Sequence, residues 1–162
     1  MKWKTIKKIL DKFLETITAA SMAILVIVVT WQVITRFLLK NPSSWTEELA
    51  IYLMIWVGML GSAVALNRKA HLGIDYFVGK LKIRQRTYLE LLVYLGIALF
   101  AITVLIAGGM NIVSFYFAVP QLSPALGINV AWVYLAIPIS GFFIAFYSLE
   151  FFITLLMTLK KQ

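Results

Sequence analysis

The sequence predicts an all-α membrane protein with four transmembrane helices, both termini cytoplasmic, and an N-terminal amphipathic interfacial segment. Three observations predict it. First, 62% of the 162 residues are hydrophobic and only 14% are charged, against roughly 45–50% and about 25% in ordinary soluble domains. A single small core cannot cover that much apolar surface. Second, uncharged runs extend over Thr16 to Thr35, Leu49 to Asn67 and Leu91 to Leu149. About 20 apolar residues cross a bilayer as a helix, and the last run, 59 residues, holds two spans and a turn. Third, the basic residues alternate with these runs. Lys2, Lys4, Lys7, Lys8 and Lys12 precede the first; Arg68, Lys69, Lys80, Lys82, Arg84 and Arg86 lie between the second and third; Lys160 and Lys161 end the chain. Only Arg36 and Lys40 of the fifteen fall on the other side. Because cytoplasmic loops carry the excess of Lys and Arg, the termini and the central loop are assigned there, and residues 1–162 form one four-span domain.

The same numbers exclude several function classes. The net charge of +8 is accounted for by topology and leaves no basic, aromatic face for nucleic acid. Zero cysteines remove disulfide relays and thiolate iron–sulfur sites, and one histidine, His71, cannot form a bis-histidine haem site. The first apolar run, 20 residues, exceeds the roughly 7–15 of a cleavable signal, so span one is expected to remain in the mature protein.

Residues 2–15 pattern as an interfacial helix. Trp3, Ile6, Leu10, Phe13, Leu14 and Ile17 recur on one side and Lys4, Lys8, Asp11, Lys12 and Glu15 on the other. Such a segment anchors to membrane lipid or a partner, or simply extends span one. Span one covers about 16–39, with Arg36 as its lone charge. The Asn41-Pro42-Ser43-Ser44 turn then breaks the helix. Ser44 is placed to cap span two, with Glu47 three residues on as its capping-box partner, and Glu47 and Glu48 favoured by the helix dipole. The turn also brings Arg36 to the depth of Glu47 and Glu48, so an ion pair is expected there.

Span two, about 45–66, carries the small residues Gly58, Gly61, Ser62 and Ala65 at spacings that permit close helix approach; packing within the chain is the expectation. Leu72, Ile74, Phe77, Val78, Leu81 and Ile83 interrupt the charges of the next loop and suggest a segment along the membrane surface. Span three covers about 87–112, its apolar stretch continuing to Ala118, and Pro120, Pro124 and Gly127 punctuate an uncharged external turn. Span four covers about 129–159, long enough to tilt or protrude. Pro138 supplies a kink, and Ala136, Ser140, Gly141 and Ala145 form a second small-residue stripe.

Chemistry at depth in a membrane needs ionisable groups there, and the spans have almost none. Glu90 and Glu150 fall near span ends, and Ala23 to Val29 is apolar throughout. Ser140 has no histidine at its depth, since His71 lies in a loop; Asp11 and Asp75 are too far apart to form a metal-binding acidic cluster. His71 and Asp75, four positions apart, can hydrogen-bond on one helix face but are too few for a structural metal. No catalytic, cofactor or metal site is therefore expected, and the chain is not read as an enzyme. Without repeated broken helices it is also not expected to bind and move a polar solute by itself.

Three stretches together resemble the small membrane subunit, the DctQ-type small permease, of tripartite ATP-independent periplasmic (TRAP) transporters. They are Arg36 followed by Trp45-Thr46-Glu47-Glu48-Leu49-Ala50; Trp56 to Leu66 leading into Arg68-Lys69-Ala70-His71-Leu72-Gly73-Ile74-Asp75; and Trp132 to Pro138. The resemblance implies a bacterial inner-membrane, multi-pass, non-catalytic scaffold subunit of a sodium-coupled importer of organic acids. It implies two partners: a large membrane subunit carrying the substrate and sodium sites, and a periplasmic substrate-binding protein met through the periplasmic turns. Arg36, Trp45, Glu47, Glu48, Gly58, Gly61, Ser62, Ala65, His71, Asp75 and Gly141 are the expected structural or interface residues. The alternative from a different class is a free-standing, homo-oligomeric four-span channel or carrier.

Overall fold

The computed structural model describes residues 2–68 and 83–159. His71, Asp75 and the surface segment expected between spans two and three lie outside the described residues. Among the described residues, four helices are long and apolar enough to cross a membrane.

Helix α1, Lys2–Phe37, is unbroken for 36 residues, about 54 Å of rise. No glycine or proline occurs before Pro42, so nothing separates an interfacial segment from the span. Residues 2–15 are the first turns of one long helix, and the extension reading is the one realised. From Leu14 through Thr18, Ser21, Leu25, Val28 and Gln32 to Thr35, the inward positions recur every three or four residues, the repeat of a helix seam. Beyond Phe37 the chain reverses through Lys40, whose φ of 51° lies in the left-handed region.

Helix α2, Ser44–Asn67, starts one residue from the expected register: Ser43 holds the N-cap position and makes no side-chain cap bond. That shift puts Thr46 rather than Glu47 at the third helical position, and the Thr46 hydroxyl donates to the Ser43 carbonyl at 2.8 Å. The Ser44–Glu47 capping box therefore does not form.

Helix α3 runs on through Ile83–Phe100, a wide π-helical stretch Ala101–Gly108, and Gly109–Ala118. It runs past 112 to Ala118, the farther end the sequence allowed, and stops where Val119, held extended (φ −120°, ψ 84°), precedes Pro120. Helix α4 comprises Ala131–Tyr134 and Ala136–Leu159. Its interruption at Leu135 follows from Pro138, which has no N–H for the Tyr134 carbonyl and crowds it sterically.

The helices form an open row rather than a closed bundle. Helix α1 packs on α2, α2 on α4, and α4 on α3, while α1 and α3 do not form a packed pair. The central place of α4 suits its small side chains: Ala136, Ser140, Gly141, Ala145 and Ser148 are all buried, letting neighbours approach from both sides. Helices α4 and α3 approach closely. A Cβ on Gly141 would stand 2.6 Å from Leu105 Cβ, and one on Gly109 would stand 3.0 Å from Pro138 Cδ. The core centres on Leu14, Leu60, Ala63, Leu66, Ala101 and Tyr147. Elsewhere the row is thin; in the most apolar window of α1 only 6% is buried within the chain, so lipid or protein must cover the rest.

Candidate functional site

The helices' ion pairs and charge-assisted contacts gather at the two ends of the row. At the end that holds the start of α1 and the finish of α4, three acidic or basic side chains of α1 follow one another a turn apart. Lys7 pairs with Glu150 of α4 and lies 5.9 Å over the Tyr147 ring and 5.5 Å over the Phe151 ring. Asp11 accepts a 2.7 Å hydrogen bond from the Tyr147 hydroxyl. Glu15 accepts from Arg68 Nε, just beyond α2, at 2.9 Å; the Glu15 carboxylate raises the Arg68 pKa further above its ordinary range. Arg86 and Glu90 pair within α3 at the same end. Asp11 and Glu15 of the face expected to meet water thus meet protein, as does Lys7, while Lys8 and Lys12 stay exposed, and Ile9 and Phe13 are 64% and 58% exposed.

At the opposite end Glu48 organises the α3–α4 turn. Its Oε2 accepts from the backbone N–H groups of Ala125 and Leu126, both at 2.9 Å. Its Oε1 accepts from the Tyr52 hydroxyl one turn further along α2, also at 2.9 Å. The turn presents those amides because Gly127 adopts φ +67°, with Gly127 N–H on the Ser123 carbonyl at 3.0 Å and Ser123 N–H on the Ile128 carbonyl at 2.8 Å. Asn129 closes it by accepting from Ala131 N–H at 2.9 Å and donating to the Tyr116 carbonyl at 3.2 Å.

The expected Arg36 ion pair is absent: Glu48 is engaged by α2 and the α3–α4 turn, and neither it nor the exposed Glu47 pairs with Arg36, which is also exposed. Trp45 is 46% exposed at the start of α2. The Gly58–Ser62 face of α2 turns outward, which overturns the expectation of internal packing. Neither Gly58 nor Gly61 has anything within 4 Å of a built Cβ, and the Ser62 hydroxyl donates to the Gly58 carbonyl at 2.8 Å. Ala65 is half-buried. Gly141 alone among the expected glycines sits in a tight internal contact. Sequence reading missed the Lys7, Asp11, Glu15 series, whose four-residue spacing was the available signal, and Gly109, which has none beyond its residue type.

Between these ends the described residues offer packing surfaces and no charged path. The charged groups named above lie in the end turns, and among the described residues no three acidic, histidine or cysteine side chains cluster in a metal-binding geometry.

A model of the family described as "Tripartite ATP-independent periplasmic transporters, DctQ component" matches residues 25–158. A sialic acid TRAP transporter small permease protein of Vibrio cholerae is 37% identical over 154 residues, covering 93% of this chain and 85% of the relative. A sialic acid TRAP transporter permease protein of Haemophilus influenzae is 32% identical over 119 residues, 71% of this chain but 18% of the relative. An isethionate TRAP transporter permease protein of Oleidesulfovibrio alaskensis is 26% identical over 134 residues, 79% of this chain and 21% of the relative. In the last two, the matching segment is part of a chain several times longer.

Proposed function

The chain belongs to the DctQ-component family of tripartite ATP-independent periplasmic transporters, and from that premise we propose that it is the static small subunit of a sodium-coupled organic-acid importer. It is a multi-pass protein of the bacterial inner membrane and a scaffold component of its transporter. Its proposed partners are a large membrane subunit, which carries the substrate and sodium sites, and a periplasmic binding protein, which docks on the Lys40–Ser44 and 119–130 turns. Both termini are cytoplasmic in this reading. Sialic acid is the first substrate to test, because the relative from Vibrio cholerae that matches 93% of this chain is named for it.

One observation carries the scaffold role: the named ionic contacts lie at the ends of a thin row of helices, and among the described residues no charged side chain stands at mid-depth to hold an anion or sodium. So little of each span is buried within the chain that the row leaves surface free for lateral packing against a larger membrane protein. Reconstitution tests the division of labour. Liposomes holding the chain with its cognate large subunit, supplied with binding protein and a sodium gradient, should accumulate radiolabelled sialic acid. Liposomes holding the chain alone should not. Uptake by the chain alone would replace the scaffold reading with the free-standing carrier.

A further inference from the structure

The four helices present four different free surfaces, and they are not chemically alike. The outer face of α1 is Ile24, Val26, Ile27 and Val33, between 48% and 68% exposed, and its Thr30 hydroxyl is satisfied by the Val26 carbonyl at 2.7 Å. The outer face of α4 is Ile139, Phe142, Leu149 and Ile153. On α2 the outward Ser62 is satisfied by its own helix. Helix α3 differs. Its packed side is marked by Gly109 and Val113, and diametrically opposite lie Ala107, Asn111, Ser114 and Ala118, all exposed. The Asn111 amide makes no hydrogen bond to any described residue.

An amide facing hydrocarbon with two donors and an acceptor unpaired is costly. Asn111 sits five residues before Tyr116, so roughly 7 Å of helix rise separates it from that ring. Tyr116 stacks on Tyr134 at 5.0 Å, and Phe117 meets Trp132 edge-on at 5.7 Å, a tier of the kind that marks a membrane interface. Asn111 lies inside that tier. Beside it a groove of about 400 Å³ is lined by Ile112, Phe115, Tyr116 and Tyr134 as well as Asn111. Small neighbours admit a close helix, and the amide supplies the interhelical hydrogen bond that holds helices together in lipid.

We infer that the outer edge of α3, centred on Asn111 with Ala107 and Ser114, is the surface on which a transmembrane helix of the large permease subunit seats, its side chain or backbone hydrogen-bonding the Asn111 amide. The occupant is a helix of that subunit because a relative joins the matching segment to a much longer permease chain, and because α3 is an edge of the row with no described helix packed beyond it. This placement rests on the scaffold reading above and adds the face that the reading leaves open.

The test uses the intact complex co-purified through a tag on the large subunit. Single-cysteine variants Ala107→Cys and Ser114→Cys, carrying a benzophenone maleimide, should form covalent adducts with the large subunit on illumination. Ile27→Cys and Phe142→Cys, on the apolar faces, should label lipid only. Asn111→Leu should weaken association roughly threefold to twentyfold, the range for one interhelical hydrogen bond in a membrane, while the isolated subunit melts no earlier than wild type. Adducts from Ile27 or Phe142 but not from Ala107 and Ser114 overturn the placement and leave the scaffold reading intact. So does unchanged association of Asn111→Leu. If the unmodified chain fails to co-purify with the large subunit at all, the scaffold reading itself falls.

Discussion

The Tyr147 hydroxyl of α4 donates to the Asp11 carboxylate of α1 at 2.7 Å, joining residues 136 positions apart in sequence. Tyr147 is fully buried, and the bond lies next to the Lys7–Glu150 pair. These contacts tie the edge helix α1 to the centre of the row at one end, where otherwise α1 leans on α2 alone. Tyr147→Phe keeps the ring and removes the hydroxyl, leaving Asp11 without its donor. We expect a loss of about 1–2 kcal/mol, the range for a hydrogen bond to a charged group tempered by membrane measurements. Unfolding in mixed detergent micelles should show it, and the double variant with Asp11→Asn should cost little more than either single change. Additive losses would mean that the two groups do not act together.

Glu48 is the only described side chain that reaches from α2 to the backbone of the α3–α4 turn. Glu48→Ala removes three accepted hydrogen bonds at once. The amides of Ala125 and Leu126 should then exchange with solvent much faster, about tenfold or more, since they lose their protein acceptor, while amides within α4 beyond Ser140 should keep their protection. Hydrogen exchange read by mass spectrometry separates these outcomes. Equal protection before and after the change would show that the turn is held by its own hairpin bonds.

Glycines of similar sequence context should respond in opposite directions. At Gly141 an added methyl meets Leu105 Cβ at 2.6 Å, so Gly141→Ala should destabilise the subunit by about 1–3 kcal/mol through overpacking. At Gly61 nothing lies within 4 Å, so Gly61→Ala should be neutral or stabilising by up to about 1 kcal/mol through helix propensity. Thermal unfolding of the isolated subunit in detergent checks both.

The fold class was legible because charge-free runs and basic loops are one-dimensional signals that need no partner information. Helix partners were not. Gly58-xxx-Ser62 and the stripe around Gly141 have the same spacing, yet one turns outward and the other packs on α3, because spacing reports which residues share a face and not what lies opposite. The Ser44 cap failed for a local reason: the helix starts one residue earlier, with Ser43 at the N-cap, and that one residue decided whether Glu47 or Thr46 stood at the third position. Arg36 and Glu48 were matched by depth, but the backbone amides of a distant turn compete for the same carboxylate, and no pattern near residue 48 announces them. The inward-facing Lys7 and Asp11 were hidden for a related reason, since charged side chains on an N-terminal helix ordinarily face water.

The structure places the start of α1, the finish of α2, the start of α3 and the finish of α4 at one end of the row, through Lys7–Glu150 and Glu15–Arg68. Among the described residues Lys2, Lys4, Lys7, Lys8, Lys12, Arg68, Arg84 and Arg86 belong to that end, whereas the other has only Arg36 and Lys40, and from this excess we expect it to face the cytoplasm. The chain contains no cysteine, so single thiols can be introduced without background. Asn41 and Gln121 are exposed at one end and Gln85 at the other; Ser123, only 2% exposed, would be a poor reporter. With a membrane-impermeant maleimide on intact spheroplasts, Asn41→Cys and Gln121→Cys should label and Gln85→Cys should label only after the membrane is opened. The inverse pattern would turn the whole row over, and it would move the Glu48-held turn away from any periplasmic partner.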